Sequence, residues 1–174
     1  MGNRRLVGIG EMIVSDDKDD ILVASSLGSC LGVAVYDPRL RLGGMIHCLL
    51  PLSQADAAKA KERPCLYVDS GVTLLLETMF ARGATKRGIA IYVGGGSAIN
   101  DSKGVFEIGS RNFTALRKLL WKNNLLLTAA DVGGECSRTV SLVMETGEVW
   151  VRKNGQEAKL QQMSRQSFMS ASSY

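Results

Sequence analysis

Two apolar runs joined by one turn constrain this chain more than any other feature. They are "CLGVAVY" and "LGGMIHCLL", linked through Asp37-Pro38-Arg39-Leu40. Asp at the first position and Pro at the second are the residues a type I turn prefers. The runs therefore predict an antiparallel hairpin, and it carries the only histidine, His47, with two of the four cysteines, Cys30 and Cys48. With Asp37 opposite Leu40, paired residues have numbers summing to 77, which sets Cys30 directly across from His47. Directly opposed side chains share a face with Cβ atoms about 4.5–5.5 Å apart, close enough for an imidazole to reach a thiol. A slip of one residue, hosted by a bulge at Gly43-Gly44, sets Cys48 opposite Cys30 instead and turns His47 to the other face.

Further along, "RLVGIGEMIVS" reads as a first strand, Asp16 to Asp20 as an acidic, solvated connection, and "ILVASS" as a second strand. Ser53 to Arg63 is Ala/Lys-rich and reads as a loop or marginal helix. Val72, Leu75, Leu76, Met79 and Phe80 follow a helical stripe that Asp69 or Ser70 can cap and Gly83 can stop. "GIAIYV" reads as a strand leading into Gly94-Gly95-Gly96. A second helix starts near Ser110 and buries Phe113, Leu116 and Leu120. "LLLTAAD" is a strand, and "TVSLVM" with "EVWVR" forms a hairpin across Glu145-Thr146-Gly147. Strands in hairpins with two helices inserted predict an α+β layered sandwich, mainly antiparallel, with flanking helices. Residues 1–153 form one domain in this reading, and 154–174 a polar, frayed or helical tail.

At 174 residues, 45 % hydrophobic and 22 % charged, the chain can bury a real core without cross-links. Its apolar runs are too short to span a bilayer, and no signal core follows the first arginines, so a cytoplasmic location is expected. The net charge of +4 is spread out and aromatics are only 6 %, which argues against a nucleic-acid surface. The cysteines contain no C-x-x-C spacing, and adjacent His47 and Cys48 point to opposite faces of a strand. No metal and no cofactor are expected. "VGGGSAIN" lacks the G-K-[ST] ending of a phosphate-binding loop, and its glycines read as close-packing positions. "IGSRN" reads as a helix start, either capped or able to meet an anion.

A thiol beside an imidazole suits nucleophilic catalysis, because the ring can take the proton that keeps the sulfur weak at neutral pH. Gly28 permits a tight turn, and the N–H groups of Ser29 and Cys30 are candidates to hold an oxyanion. Core packing is the competing explanation. Free cysteines are among the most buried residues, and a single histidine is commonly a hydrogen-bonded structural one. Cys48, Cys65 and Cys136 have no base at a readable spacing and are assigned to packing.

"GIGE", "LGSC" and "YDP" with "GGMIHCLLP" resemble the chemoreceptor glutamine deamidase family CheD. The likeness continues through "YVDSGVTLLLETMFARGA", "VGGGSAIN", "IGSRN", "DVGGECSR" and "TGEVWVRK". The resemblance implies a fold similar to the deamidase domain of cytotoxic necrotising toxins, with Cys30 as nucleophile and His47 as base. It further implies an enzyme acting in the bacterial cytoplasm on glutamines of chemoreceptor cytoplasmic helices, with a CheC-type phosphatase as partner. The alternative it leaves is a non-catalytic or weakly catalytic chemotaxis binding module docking on receptors or on that phosphatase. Family members carry a histidine-orienting threonine six residues before the nucleophile, where this chain has Ala24. Ser26, on the face of residue 24 by strand alternation, and its neighbour Ser25 are the candidate substitutes. The substrate pattern implied for the family also occurs from Ala158 to Ser164, a candidate pseudosubstrate.

Overall fold

β4 (Leu31–Asp37) and β5 (Leu42–Cys48) are buried along their whole length. Only a sheet covered on both faces allows that. In the computed structural model, which describes residues 2–99 and 107–161, they form the middle of a sheet ordered β2-β5-β4-β6-β7. The partners are β2 (Met12–Ser15), β6 (Ala90–Gly95) and β7 (Ala129–Val132). The second sheet, ordered β1-β3-β8-β9-β10, contains β1 (Asn3–Leu6), β3 (Asp20–Leu27), β8 (Arg138–Val143), β9 (Glu148–Lys153) and β10 (Gln156–Lys159).

One face of the β4/β5 hairpin, through Ala34, Tyr36 and Met45, packs on Leu22, Ala24, Val140 and Leu142 of the second sheet. The other face, through Val33, Val35, Ile46 and Cys48, packs on α2 (Val68–Ala81) and α3 (Ile108–Lys122). The order of layers is sheet, sheet, helices. This is the α+β sandwich the sequence predicts, with two parallel pairs, β1/β3 and β6/β7, among antiparallel ones.

Several local expectations are corrected. The predicted first strand is two: Gly8, Ile9 and Gly10 carry the chain from β1 in one sheet to β2 in the other. Asp20 is not solvated but buried at the start of β3, where its carboxylate accepts from Ser15 Oγ at 2.6 Å and Arg5 at 2.8 Å. α1 (Ala57–Glu62) follows a 3₁₀ turn in the stretch read as a loop or marginal helix. α2 starts before Asp69 rather than from it, with Tyr67 as N-cap. Asp69 instead accepts from the backbone N–H and hydroxyl of Ser53, tying down the segment after β5. Residues 156–159, assigned to the tail by composition, pair with β9 as an edge strand. Ala158 and Lys159 of the pseudosubstrate pattern lie in that strand. Gln162 to Ser164 lie outside the described residues, as does Asn100 of "VGGGSAIN".

The hairpin register is the correction that matters most. Asp37 does nucleate the turn, its carboxylate accepting from the N–H of Arg39 at 2.9 Å and Leu40 at 3.1 Å. Pairing resumes only at Asp37↔Leu42, after Arg41 has taken a left-handed conformation at φ 50°. A two-residue type I turn would splay twisted strands, so a longer loop is built around it. Paired numbers sum to 79 rather than 77, and the ladder runs unbroken through Gly43-Gly44.

Candidate active site

The shift of two residues preserves faces. His47 pairs with Gly32 and Cys48 with Leu31. Cys30 precedes β4 by one residue and becomes the diagonal neighbour of His47 instead of its opposite. Diagonal positions lie roughly 7–8 Å apart and remain within reach of long or aromatic side chains. Cys30 packs with Ala24, Leu27 and Met45 in the layer between the sheets, so it shares the face of His47. The one-residue slip, with Cys48 opposite Cys30, does not occur.

The loop that carries Cys30 is held by its carbonyls, one after another. Gly28 O accepts from Ser97 N–H at 2.9 Å, Ser29 O from Asn112 Nδ2 at 2.9 Å, and Cys30 O from Gly96 N–H at 2.9 Å. Gly95, at φ 113°, is required there because a Cβ would collide with the Cys30 carbonyl. Behind this strand, buried Arg138 reaches Asp131 at 2.9 Å and the carbonyls of Cys136 and Gly95 at 3.3 and 3.5 Å. Burial opposes the charge on Asp131, yet Lys153 and Arg138 together hold its carboxyl below the usual range.

His47 is buried and its ring is gripped on one side only. Nδ1 lies 3.1 Å from the carbonyl oxygen of Val7, which can only accept, so Nδ1 carries the proton. Nε2 is buried with no hydrogen-bond partner among the described residues, and its lone pair is unshared. Burial lowers the pKa of the imidazole more than the Val7 carbonyl and Glu11 raise it. Burial likewise pushes the Cys30 thiol up, against the pull of its own backbone N–H. At neutral pH the pair rests as thiol and neutral imidazole, the protonation states in which the ring can act as a base.

Ala24 is fully buried, and its methyl would lie 3.3 Å from a Cβ placed on Gly32, the cross-strand partner of His47. Ala24, where the resemblance implies a threonine, thus sits against the cross-strand partner of His47 with no polar side-chain atom. Ser25 and Ser26 are exposed, at a break in the β3/β8 register where Ser26 has φ 55°. The His47 ring donates instead to the carbonyl of Val7, in the "VGIGE" crossover between the sheets. Sequence reading also missed Asn112, which is fully buried and bridges Ser29 O and Leu49 O with one amide group. Its signal was a polar residue on the apolar stripe of α3, four positions before Leu116. Cys48 and Cys65 are buried and Cys136 is partly so.

A family model described as CheD chemotactic sensory transduction matches residues 49–153. Two relatives bear the name probable chemoreceptor glutamine deamidase CheD. The protein of Syntrophus aciditrophicus is 42 % identical over 86 % of this chain and 94 % of its own length. That of Solibacter usitatus is 40 % identical over 89 % and 92 %. The chain belongs to the CheD family. The chemoreceptor glutamine deamidase CheD of Thermotoga maritima is 35 % identical over 87 % of this chain and 93 % of its own length. The family-model match begins just past His47, so the Cys30–His47 geometry is an observation separate from that match.

A cleft of about 530 Å³ is lined by Leu50, Pro51, Leu52, Gln54, Ile108 and Arg111. It lies one residue along the chain from Asn112, which anchors Ser29, and from Leu49, whose carbonyl accepts from the same amide.

Proposed function

We propose that this chain is a protein-glutamine deamidase that converts glutamines on methyl-accepting chemoreceptors to glutamate in the cytoplasm. The observation that carries the mechanism is His47, held at Nδ1 by Val7, with Nε2 unpartnered among the described residues, on the face it shares with Cys30. A glutamine side chain enters from the cleft at Leu50 and Arg111. Nε2 takes the thiol proton as Cys30 Sγ bonds to the carboxamide carbon, and the electron pair of the C=O moves onto oxygen. The imidazolium then protonates the nitrogen, the C–N bond breaks, and ammonia leaves a thioester. Water gives a proton to Nε2 and its oxygen attacks the thioester. The C–S bond breaks, the thiolate recovers its proton, and glutamate is released.

Oxyanion stabilisation by the N–H groups of Ser29 and Cys30 has geometric support. The carbonyls of Gly28 and Ser29 are tied to Ser97 and Asn112. In a trans peptide the N–H points opposite the C=O. Both N–H groups are therefore turned away from those anchors, and preset hydrogen-bond donors of this kind lower acyl-transfer barriers.

Purified receptor cytoplasmic fragments incubated with the protein should gain about one dalton per glutamine converted, as NH₂ is replaced by OH. Cys30→Ala should abolish the gain; its persistence would overturn the mechanism. A second reading, a docking module of the chemotaxis system, is favoured by one surface. Trp121 and Leu126 are about four-fifths exposed beside a cavity of about 430 Å³ rimmed by Arg117 and Lys118. No acidic residue lies between Ile108 and Ala130, so this surface suits an acidic partner, for which the family resemblance implies a CheC-type phosphatase. Absence of any mass gain with the wild-type protein would favour that reading.

A further inference from the structure

The peptide that holds His47 is itself held. Val7 and Gly8 share one trans peptide group. Its carbonyl accepts from His47 Nδ1 at 3.1 Å, and its N–H donates to Glu11 Oε2 at 2.9 Å. The two dipole ends of a trans peptide point in opposite directions, so imidazole, peptide and carboxylate form a relay. We infer that Glu11 is a positioning residue for His47, acting through the Val7–Gly8 peptide without touching the ring.

Three observations support this. The same crossover also grips the histidine backbone, with Gly10 N–H donating to His47 O at 2.8 Å and His47 N–H donating to Glu11 O at 3.1 Å. A Cβ on Gly8 would lie 2.9 Å from Glu11 Oε2, so the carboxylate sits directly against this peptide. A carboxylate drawing on the N–H polarises the peptide and makes its carbonyl a stronger acceptor. That favours the imidazolium that forms when the thiol proton moves. Among the described residues, Glu11 is the charged group whose field raises the His47 pKa. Cys30 and Tyr36 are titratable groups on the shared face, β3 and β4 contribute Ala24 and Gly32 there, and Arg63 lies against the crossover at Gly10 and donates to Ile9 O, 3.3 Å away. With Ala24 where the family has its threonine, this relay is the polar support that reaches the ring.

The role rests on His47 being the base, but its test reads the ring itself. His47 is the only histidine, so ¹⁵N and ¹³C NMR of labelled protein report its tautomer and pKa without ambiguity. In wild type the Nδ1–H form should dominate. Glu11→Ala should lower the pKa and admit the Nε2–H form. Glu11→Gln, which keeps an acceptor but loses the charge, should keep the tautomer while the pKa still falls. Deamidation kcat/KM should drop roughly ten-fold in Glu11→Ala, the lower end of what supporting partners of a functional histidine contribute, and recover in part in Glu11→Gln. A pKa unchanged in both folded variants would overturn the relay. If Glu11→Ala does not fold, the pKa in Glu11→Gln decides alone. NMR shifts as expected in a protein that deamidates nothing would uphold the relay and defeat the proposed function.

Discussion

Protonating His47 means charging a ring that the fold leaves 3 % exposed. The folded ring titrates below the ordinary imidazole value of about 6.5, so as pH falls the unfolded chain takes up its proton first. Its contribution to stability is complete above about pH 6.5 and is lost as pH drops through the lower folded value. Urea unfolding at about pH 7.5 and about pH 5 should therefore show declining stability, and His47→Gln should flatten part of that decline. An identical decline in the variant would mean that the ring charges as easily folded as unfolded. At this scale the sequence identified the pair but not their support. Cys30 and His47 could be placed on one face because any even shift of register keeps it. Nothing near either residue pointed to a backbone carbonyl at Val7.

Elements position the site through groups that satisfy each other's backbone. α3 delivers Asn112 to two carbonyls in separate loops, at Ser29 and Leu49. Asn112→Ala should destabilise the protein by about 1–3 kcal/mol for the buried acceptors left unmade, measured by denaturant unfolding, and should lower kcat as the Cys30 loop loosens. Asn112→Asp should be worse, since it sets an acceptor against two acceptors. If Asp is tolerated better than Ala, the amide is not the anchor. The turn at Asp37 teaches a related lesson. Its residues revealed where the chain reverses, but strand twist decided that two more residues were needed before pairing resumed.

Across the whole molecule, β4 and β5 lie between two covering layers, while β1 and β10 are exposed at every residue. Hydrogen exchange should show β4 and β5 amides opening only with global unfolding and β1 and β10 amides exchanging far sooner. Protection of β10 equal to that of β4 would contradict its place as an edge strand. The sheets are joined on one side by the Val7–Glu11 crossover, which spans the gap between layers at the histidine. A connection of this kind meets core groups of both sheets, and here it supplies the acceptor for His47 Nδ1.

By itself the sequence determined the hairpin, the face shared by Cys30 and His47, the helical stripes of α2 and α3, and the layered α+β class. Each of these follows from local periodicity and turn chemistry, which act over a few residues. Tertiary structure decided the register, the exposure of Ser25 and Ser26, and the partners of the buried polar groups. His47 finds its acceptor 40 residues away at Val7, and Asn112 finds one of its two 83 residues away at Ser29. Such pairings have no local signature, because a buried polar group bonds to whatever the packed layers bring against it.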